Sequence, residues 1–405
     1  MSIIVQKYGG SSVATIEKIK AVAQKVVTTV NKGHNVVVVV SAMGDTTDEL
    51  LSLASQINPE PARRELDMLL SVGERISMAL LSMAIHTHGL DAISFTGSQS
   101  GIITTAGHSN ARVIEVRPYR IQDELAAGKV VIVAGYQGVS YKREITTLGR
   151  GGSDTTAVAL AAALSAEACE IYSDVDGIFD TDPRKVPEAR RLDDITYEEM
   201  QEMARLGAKV LHAKAVEFAR NAQIALYARS THHPDSQGTR IHGGGSLRRV
   251  DGFEEICRRQ EESMGVRAVA SLKEGLWLTL EACDHAELDE FALAIERLET
   301  PWCQLDPQGS AVLLKLDDLH DQEGLVARLK QRHGQRLTLR RGLGMVSAIG
   351  TGVGNTPRAL RAARNALKAL PLEATQASGH SVRCLLPSEH VEEALKHLHK
   401  ALIQG

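Results

Sequence analysis

The first hundred residues alternate between short apolar runs and longer amphipathic segments, which is the pattern of strands and helices that follow one another. A strand is predicted from Ile3 to Tyr8, and an amphipathic helix from Ser12 to Lys32. Consecutive valines within Asn35–Ser41 predict a strand buried on both faces, as in a parallel sheet. A long helix over Pro61–Thr87 and a strand over Asp91–Phe95 follow.

The alternation continues as far as Arg229, with further strands predicted near Val130, over Cys169–Tyr172 and over Gln223–Ala228. It predicts an α/β fold, with a mostly parallel sheet and helices on both faces. Ligands of such sheets bind beyond the carboxyl ends of the strands. Polar residues that directly follow a strand are therefore the candidates for chemistry.

A change in composition marks the end of this domain. The stretch Ser230–Ser246 is rich in His, Gly, Ser and Pro, which is typical of a linker. After it, strand-like runs alternate with short helices and predict two small α+β units of the split βαβ kind. The predicted boundaries are 1–230 for the first domain, 231–262 for the linker, and 263–342 and 343–405 for the two small domains.

Composition and charge exclude several functional classes. Hydrophobic residues make up 43% and charged residues 24% of the 405, an ordinary globular balance. A net charge of -4 and 3% aromatic residues disfavour nucleic-acid binding. No signal peptide is predicted, and no run reaches the roughly 18 apolar residues of a membrane span. The five cysteines lack metal-binding spacing and are expected to be reduced thiols in a cytoplasmic protein.

The most informative stretch is Thr146–Ala157, TTLGRGGSDTTA, which lies between an apolar run and an alanine-rich helical pattern. Its three glycines allow backbone N–H groups to approach a ligand, and the helix that follows favours an anion at its N-terminus. Ser153 is predicted to cap that helix. Arg150 offers a planar group suited to a carboxylate or phosphate, and Asp154 adds a carboxylate. A glycine-rich connector before a capped helix is the alternative.

Three further segments carry candidate groups. Lys7 ends the first strand just before Gly9-Gly10, where a cation suits nucleotide phosphates; the alternative is a surface lysine before a turn. The hydroxyls of Ser41, Thr46 and Thr47 suit an oxyanion or a substrate carboxylate, although Thr46 or Thr47 as a helix cap explains them equally well. Glu74 follows a glycine predicted to lie in mid-helix, which costs about 1 kcal/mol and indicates close packing. Glu74 suits an ammonium group; a solvated helix charge is the alternative.

The loop Ser173–Arg184 follows a predicted strand and is rich in aspartate. Its spacing resembles a calcium loop only faintly, because the bidentate glutamate is missing. It is better explained as the rim of a nucleotide site, in which Asp174 meets polar groups, Phe179 covers a base or ribose, and Arg184 meets phosphates. Lys209 could reach a phosphate from a helix start. A plain acidic loop remains the alternative.

Taken together and in this order, the segments resemble the aspartate kinases of the amino acid kinase family. The motifs that carry the resemblance are KYGGSSV from Lys7, VSAMG from Val40, GER from Gly73, GRGGSDTT from Gly149, and DVDGI from Asp174 with DPR from Asp182. The match covers about the first 230 residues. The family has a kinase domain followed by two small ACT-type ligand-binding domains.

The resemblance implies phosphoryl transfer from MgATP to the β-carboxylate of L-aspartate. Lys7 would stabilise charge on the transferred group, and Asp154 would hold Lys7 or help to organise the magnesium. Arg150 would pair with the α-carboxylate of aspartate, and Glu74 with its ammonium group. Ser41, Thr47 and Ser153 would complete the substrate site. The nucleotide would be bound by Lys7, Gly9, Gly10, Ser11, Ser173, Asp174, Phe179, Arg184, Lys209 and Val210. The resemblance does not identify the residues that hold Mg2+.

The second half departs from the family pattern. Family effector domains often carry a Pro-Gly loop after their first strand, whereas the corresponding stretch here is Glu281–Leu288, EACDHAEL. Control by lysine or threonine is therefore open. The hypothesis is that these domains mainly pair subunits, giving a homodimer or larger oligomer, or that they bind a different effector.

Three other functions were compatible with parts of the pattern. A sister kinase acting on another carboxylate, carbamate or nucleotide is disfavoured by the Gly73-Glu74-Arg75 segment and by the two C-terminal units. A catalytically inactive amino-acid sensor is disfavoured because Lys7, Arg150 and Asp154 are all present. A purely structural oligomerisation protein would not need so many polar residues at strand ends.

Overall fold

The structure is a computed structural model that describes residues 1–208, 210–233, 236–243, 265–296, 298–316 and 322–404. These residues divide into two compact units. The first comprises Met1–Ile178, Arg191–Met200 and the described residues of 210–246. The second comprises Phe179–Arg190, 201–208 and the described residues of 247–405.

The first unit contains two sheets and most of the helices. Its strands are β1 (Ile3–Tyr8), β2 (Asn35–Val40), β3 (Ala92–Phe95), β4 (Ile102–Thr104), β5 (Val113–Val116), β6 (Val130–Ala134), β7 (Gln137–Ser140), β8 (Ile145–Thr147), β9 (Ala168–Ser173), β10 (Asp194–Thr196), β11 (Leu226–Ser230) and β12 (Thr239–His242). Its helices are α1 (Ile16–Asn31), α2 (Thr46–Ile57), α3 (Arg63–Leu70), α4 (Val72–His86), α5 (Tyr119–Ala126), α6 (Gly152–Ala163) and α8 (Ala213–Ala222). Helix α7 (Tyr197–Arg205) has residues in both units.

The large sheet has the strand order β10-β12-β11-β9-β1-β2-β6-β3. Its strand pairs are parallel except for β11 with β12. Helices cover both faces, because Tyr8 packs in one core cluster with residues of α1 and α4, whereas the neighbouring Lys7 contacts α6. The valines of β2 are almost fully buried, as a central parallel strand requires. The predicted α/β fold is confirmed.

A four-stranded sheet, in the order β5-β4-β7-β8, was not predicted from the sequence. Its strands have only three or four residues each, so they show little periodicity. Strand β8 leads directly into the glycine-rich stretch after Thr147, and the small sheet therefore fixes one end of that stretch.

The helix predicted over Pro61–Thr87 is wrong as a single element, because α3 and α4 are separated at Ser71. Gly73 consequently lies in the first turn of α4 and not in mid-helix. The close packing expected at this glycine is present, since an added Cβ would come within 2.7 Å of the Ala42 Cβ. The first helix begins at Ile16, with Thr15 as its cap, and not at Ser12.

Within the described residues, one helical stretch, Arg63–His86, is long and apolar enough to cross a membrane by length and composition alone. Half of its most apolar window is buried in the fold. Leu81 and Ile85 are fully buried in the core cluster with β2 and β6, which is the behaviour of a core helix.

The second unit is built on one antiparallel sheet with the order β14-β15-β13-β16-β18-β17. Its strands are β13 (Ala268–Glu281), β14 (Trp302–Gln304), β15 (Gly309–Lys315), β16 (Leu337–Ile349), β17 (Ala374–Ser378) and β18 (Ser381–Pro387). Its helices are α9 (His285–Ile295), α10 (Gln322–His333), α11 (Pro357–Ala366) and α12 (Val391–His399).

Strand β13 belongs to two hydrophobic cores. Its first half pairs with Met345–Ile349, and Val269 packs in a cluster with residues of β18 and α12. Its second half pairs with β15, and Leu276 packs in another cluster with residues of α9 and α10. The two predicted α+β units are thus interleaved through a shared strand. Strand β12 lies within the range predicted as the linker, and the domain boundaries stay predictions.

Candidate functional site

The candidate site lies at the carboxyl edge of the large sheet in the first unit. Strands β9, β1, β2 and β6 are adjacent and parallel there, so the residues that follow them are neighbours. Lys7 is the penultimate residue of β1, Ser41 follows β2, Gly135 follows β6, and Ser173 ends β9. This edge is where open α/β sheets bind ligands.

Lys7 and Asp154 form the central charged pair. The Lys7 Nζ lies 2.7 Å from the Asp154 Oδ1, and the two side chains are 12% and 10% exposed. The contact is an ion pair and not a well-directed hydrogen bond, because Oδ1 accepts no hydrogen bond of acceptable geometry. Asp154 lies in the first turn of α6, so a cation and a helix N-terminus face the same space.

The Gly9-Gly10 turn follows immediately after strand β1. The Gly9 N–H donates to the Tyr172 carbonyl at 3.3 Å, and the Gly44 N–H donates to the Gly10 carbonyl at 3.2 Å. A Cβ on Gly10 would lie 3.0 Å from the Ala42 carbonyl oxygen, so the close approach of two backbone segments favours glycine. Ser11 is exposed beside this turn.

Glu74 is buried, with 3% of its surface exposed. Its Oε1 accepts the Ala42 N–H at 3.3 Å, and its Oε2 accepts no hydrogen bond. Burial raises the pKa of Glu74 to about 7, against the opposing effect of the backbone hydrogen bonds. The alternative of a solvated helix charge is therefore wrong. A buried carboxylate oxygen without a partner suits a cationic ligand group.

The glycine-rich stretch enters α6 differently from the prediction. Gly151, with φ of 69°, precedes the helix, so Ser153 lies in its first turn and the prediction that it caps the helix is wrong. The Ser153 side chain instead fills the space at Gly135, where a Cβ would come within 2.7 Å of the Ser153 Oγ. Arg150 is exposed and pairs with no carboxylate in the described part of the chain.

The hydroxyl groups after β2 have separate roles. Helix α2 begins at Thr46 without a side-chain cap, so the prediction that Thr46 or Thr47 caps this helix is wrong. The Thr46 Oγ1 donates to the Met43 carbonyl at 2.6 Å, which uses its proton within the loop. Thr47 and Ser41 are half-buried, and the Ser41 N–H donates to the Tyr8 carbonyl at 3.1 Å.

The residues predicted to bind a nucleotide are distributed between the units. Ser173 and Asp174 are in the first unit, where the Ser173 Oγ accepts the Val175 N–H at 3.2 Å and Asp174 is exposed. Phe179 and Arg184 belong to the second unit, and Arg184 pairs with Asp182 at 3.1 Å. Val210 is in the first unit, and Lys209 lies outside the described residues.

Two residues near the site, Tyr136 and Asp67, were not identified as candidates from the sequence. Tyr136 follows the end of β6 with φ of 67°, unusual for a residue with a side chain, and its carbonyl accepts the Leu148 N–H at 2.9 Å. Burial raises the pKa of its hydroxyl. Asp67 on α3 is fully buried and accepts hydrogen bonds from Thr147 and Ser109. Asp67 could have been noticed because it is a charged residue within an apolar helical pattern.

Across the described ranges, no group of three or more His, Cys, Asp or Glu side chains is placed to hold a metal ion. This arrangement fits Mg2+ that arrives with a nucleotide, because Mg2+ usually takes phosphate oxygens, water and only one or two carboxylates. The Asp154 carboxylate beside Lys7 offers one such ligand.

Comparisons with known proteins agree on one group. Residues 2–229 match the amino acid kinase family. The aspartokinase of Mycobacterium tuberculosis is 44% identical over 421 residues, covering all of this chain and 97% of that protein. The aspartokinase of Mycolicibacterium smegmatis is 59% identical over 244 residues, covering 60% of this chain and 58% of that protein. The crystal structure of E. coli aspartokinase III in complex with aspartate and ADP has a TM-score of 0.83 and 25% identity, covering 99% of both chains.

Proposed function

The chain belongs to the amino acid kinase family and, within it, to the aspartokinases, and from that premise we propose that it transfers the γ-phosphoryl group of ATP to L-aspartate. The products are 4-phospho-L-aspartate and ADP, the first step of aspartate-family amino acid biosynthesis. The observation that carries the proposal is the largely buried Lys7–Asp154 ion pair beside the Gly9-Gly10 turn. A preorganised cation next to exposed backbone N–H groups is what phosphoryl transfer requires.

In the proposed reaction, an oxygen of the aspartate β-carboxylate attacks the γ-phosphorus. The bond from that phosphorus to the bridging oxygen breaks, and ADP leaves with the electron pair. The nucleophile is already deprotonated, so no general base is needed. Lys7 neutralises charge on the transferred group, Asp154 fixes the direction of Lys7, and Gly10 and Ser11 supply donors. The Gly9 N–H already donates to the Tyr172 carbonyl, so Gly9 contributes by allowing the close approach of the backbone. Mg2+, when bound, would neutralise charge on the phosphate oxygens, and Asp154 would offer it a carboxylate ligand.

The amino acid is proposed to be held at both of its charged ends. Arg150 pairs with the α-carboxylate, and its lack of a carboxylate partner in the described residues leaves it available. Glu74 pairs with the ammonium group through its unpartnered Oε2. Ser41, Thr47 and Ser153 provide hydroxyl groups around the substrate. The nucleotide contacts proposed for Ser173, Asp174, Phe179, Arg184, Lys209 and Val210 follow from the family resemblance.

We also propose a cytoplasmic homo-oligomer. Strands β14 and β17 form the edges of the sheet in the second unit, and such edges commonly pair across subunits. Size-exclusion chromatography with light scattering tests this, and a monomer at micromolar concentration would contradict it.

The direct test of the activity is ADP production with MgATP and L-aspartate, repeated with L-glutamate. Turnover with aspartate and little with glutamate is expected, because Arg150 and Glu74 fix the distance from the ammonium and α-carboxylate to the phosphate. Preference for another carboxylate would indicate a sister kinase. No turnover with either substrate would favour the inactive amino-acid sensor.

A further inference from the structure

Asp67 is the most completely hydrogen-bonded buried carboxylate near the candidate site. It is 0% exposed. Its Oδ1 accepts the Thr147 hydroxyl at 2.7 Å, and its Oδ2 accepts the Thr147 N–H at 3.2 Å. The Ser109 N–H lies 3.0 Å from Oδ1 and 3.1 Å from Oδ2, and the His108 Nδ1 lies 2.8 Å from Oδ2. One side chain of α3 therefore holds two other segments of the chain.

Both of these segments support the backbone that carries Arg150. Thr147 is the last residue of β8 and stands three positions before Arg150. The segment at Ser109 supports the loop from the other side, because a Cβ on Gly149 would lie 3.1 Å from the Asn110 Oδ1 and 3.4 Å from the Ser109 carbonyl oxygen. Asp67 thus fixes the entry to the loop and the surface on which Gly149 rests.

The loop that carries Arg150 needs contacts that hold it in one conformation. Gly149 and Gly151, on either side of Arg150, both have positive φ, at 75° and 69°. Glycines give the loop many accessible conformations unless other contacts select one. The Arg150 side chain has no carboxylate partner of its own among the described residues to select its direction. The direction of the guanidinium group is therefore set largely by the backbone on which it stands.

We propose that Asp67 is a positioning residue for substrate recognition, which acts through Thr147 to hold Arg150 where it meets the α-carboxylate of the amino acid substrate. The proposal rests on the function proposed above. Asp67 does not touch the substrate. Its loss weakens aspartate binding while the phosphate side of the site, at Lys7 and Gly9, is unchanged.

Two adjacent threonines provide a matched test. Thr147 and Thr146 are both fully buried in β8, and both hydroxyls form a side-chain contact. Only Thr147 reaches Asp67; the Thr146 Oγ1 instead lies 2.5 Å from the Thr104 Oγ1. Thr147→Val is expected to raise the KM for aspartate about tenfold, with kcat and the KM for ATP changed less than about threefold. Thr146→Val is expected to lower the melting temperature similarly and to leave the aspartate KM unchanged.

A double mutant tests whether Thr147 affects aspartate binding through Arg150. Arg150→Ala alone raises the aspartate KM, and Thr147→Val added to it is expected to cause little further increase, because the anchored group is already gone. Asp67→Asn, checked for folding by thermal melting, is expected to exceed Thr147→Val in its effect on the aspartate KM, since its amide would face N–H donors.

The outcomes separate this inference from the activity itself. If the wild-type chain phosphorylates aspartate, but Thr147→Val and Asp67→Asn lose only thermal stability, Asp67 is structural and the inference is wrong. Fully additive effects of Arg150→Ala and Thr147→Val would also overturn it. A wild-type chain without aspartate turnover would overturn the proposed function, and this inference with it.

Discussion

Two buried carboxylates at the candidate site have fewer partners than two buried carboxylates of the second unit. In the first unit, the Glu74 Oε2 accepts no hydrogen bond, and the Asp154 Oδ1 has only the Lys7 ion pair. Both lie at the carboxyl edge of the large sheet. Each of these carboxylates therefore keeps a buried oxygen that accepts no hydrogen bond.

In the described part of the second unit, the buried carboxylates of Glu202 and Asp180 each have an oxygen with two partners. The Glu202 Oε1 accepts the Ser381 hydroxyl at 2.6 Å and an Arg383 N–H at 2.7 Å. The Asp180 Oδ1 accepts the Arg190 N–H at 3.0 Å and lies 3.1 Å from the His399 Nε2. These contacts join segments distant in sequence within the same unit.

This difference in hydrogen-bond partners distinguishes residues of a ligand site from residues that stabilise the fold. Leaving a buried carboxylate oxygen unsatisfied costs about 1–3 kcal/mol, and at a ligand-binding edge of a sheet the ligand can provide the missing partner. The pairs of Glu202 and Asp180 need no ligand, and their loss should affect folding more than chemistry. Substitution of Glu74 or of the Lys7–Asp154 pair should therefore change kinetics, and loss of the Glu202 pair should change stability.

The largest effect is expected at Lys7. Lys7→Ala removes a preorganised charge at the transferred phosphoryl group and should lower kcat by about 10²-fold or more. Asp154→Ala should have a similar effect, because it releases the same cation. Steady-state ADP production measures both. Arg64→Ala is the control, since that arginine forms an exposed pair with Glu144, and full turnover by Lys7→Ala would refute the proposed mechanism.

The next effect concerns stability in the second unit. Arg383→Met leaves Glu202 buried without its cation and should destabilise the fold by about 3 kcal/mol, measured by urea unfolding at pH 7. The aspartate KM of the folded variant should not change. Arg340→Ala breaks an exposed pair with Glu373 in the same unit and should cost less than about 1 kcal/mol.

The pH dependence of Arg383→Met sharpens this test. Burial alone would raise the pKa of Glu202, but the hydrogen bonds from Ser381 and Arg383 outweigh it and lower the pKa. A lowered carboxyl pKa contributes stability that is lost as pH falls through the folded-state value. Variant and wild type should therefore converge in acid. Equal destabilisation at pH 7 and in acid would contradict this assignment.

Glu74 provides an intermediate effect in the first unit. Its pKa is raised to about 7, so the charged form needed for the substrate ammonium is lost as pH falls below that value. The aspartate KM of the wild type should rise about tenfold per pH unit well below 7. Glu74→Gln should give a high KM that does not vary over this range. A wild-type KM constant from pH 6 to 8 would exclude the role of Glu74.

The same group affects stability with the opposite sign to Glu202. The folded state retains a proton that the unfolded chain releases between the ordinary pKa and about 7, so stability falls as pH rises through that window. Glu74→Gln removes this penalty. The variant should therefore unfold at higher urea than the wild type at pH 8, and the difference should shrink toward pH 5.

The sequence was sufficient to predict the central strands and most of the candidate site, because those features are local in the chain. The valine strand at Val36–Val40 and the motifs around Lys7 and Arg150 each span only a few consecutive residues. Their residue types alone therefore predict their local structure. Asp67 could not be placed, because its partners lie 42 and 80 residues away. The break at Ser71 was hidden because apolar periodicity continues across it.

The smallest effect is expected from amino acid effectors, and it tests whether the second unit is only a scaffold. In the loop that lacks Pro-Gly, the Asp284 carboxylate accepts the Glu287 N–H at 2.9 Å, so the first turn of α9 is capped by the chain itself. Glu287 adds a second negative charge, paired with Arg336 at 2.7 Å. An effector carboxylate would meet repulsion there. Helix α11 begins at Pro357, which has no N–H to offer.

Lysine, threonine and methionine at millimolar concentration should therefore shift the melting temperature by less than about 1 °C, because a ligand that does not bind the folded state cannot stabilise it. MgATP, which is proposed to bind beside the Lys7–Asp154 pair, serves as the positive control in the same assay. Saturable stabilisation by lysine would mean that Asp284 is displaced by a ligand. The second unit would then carry a ligand site as well as the paired carboxylates of its scaffold.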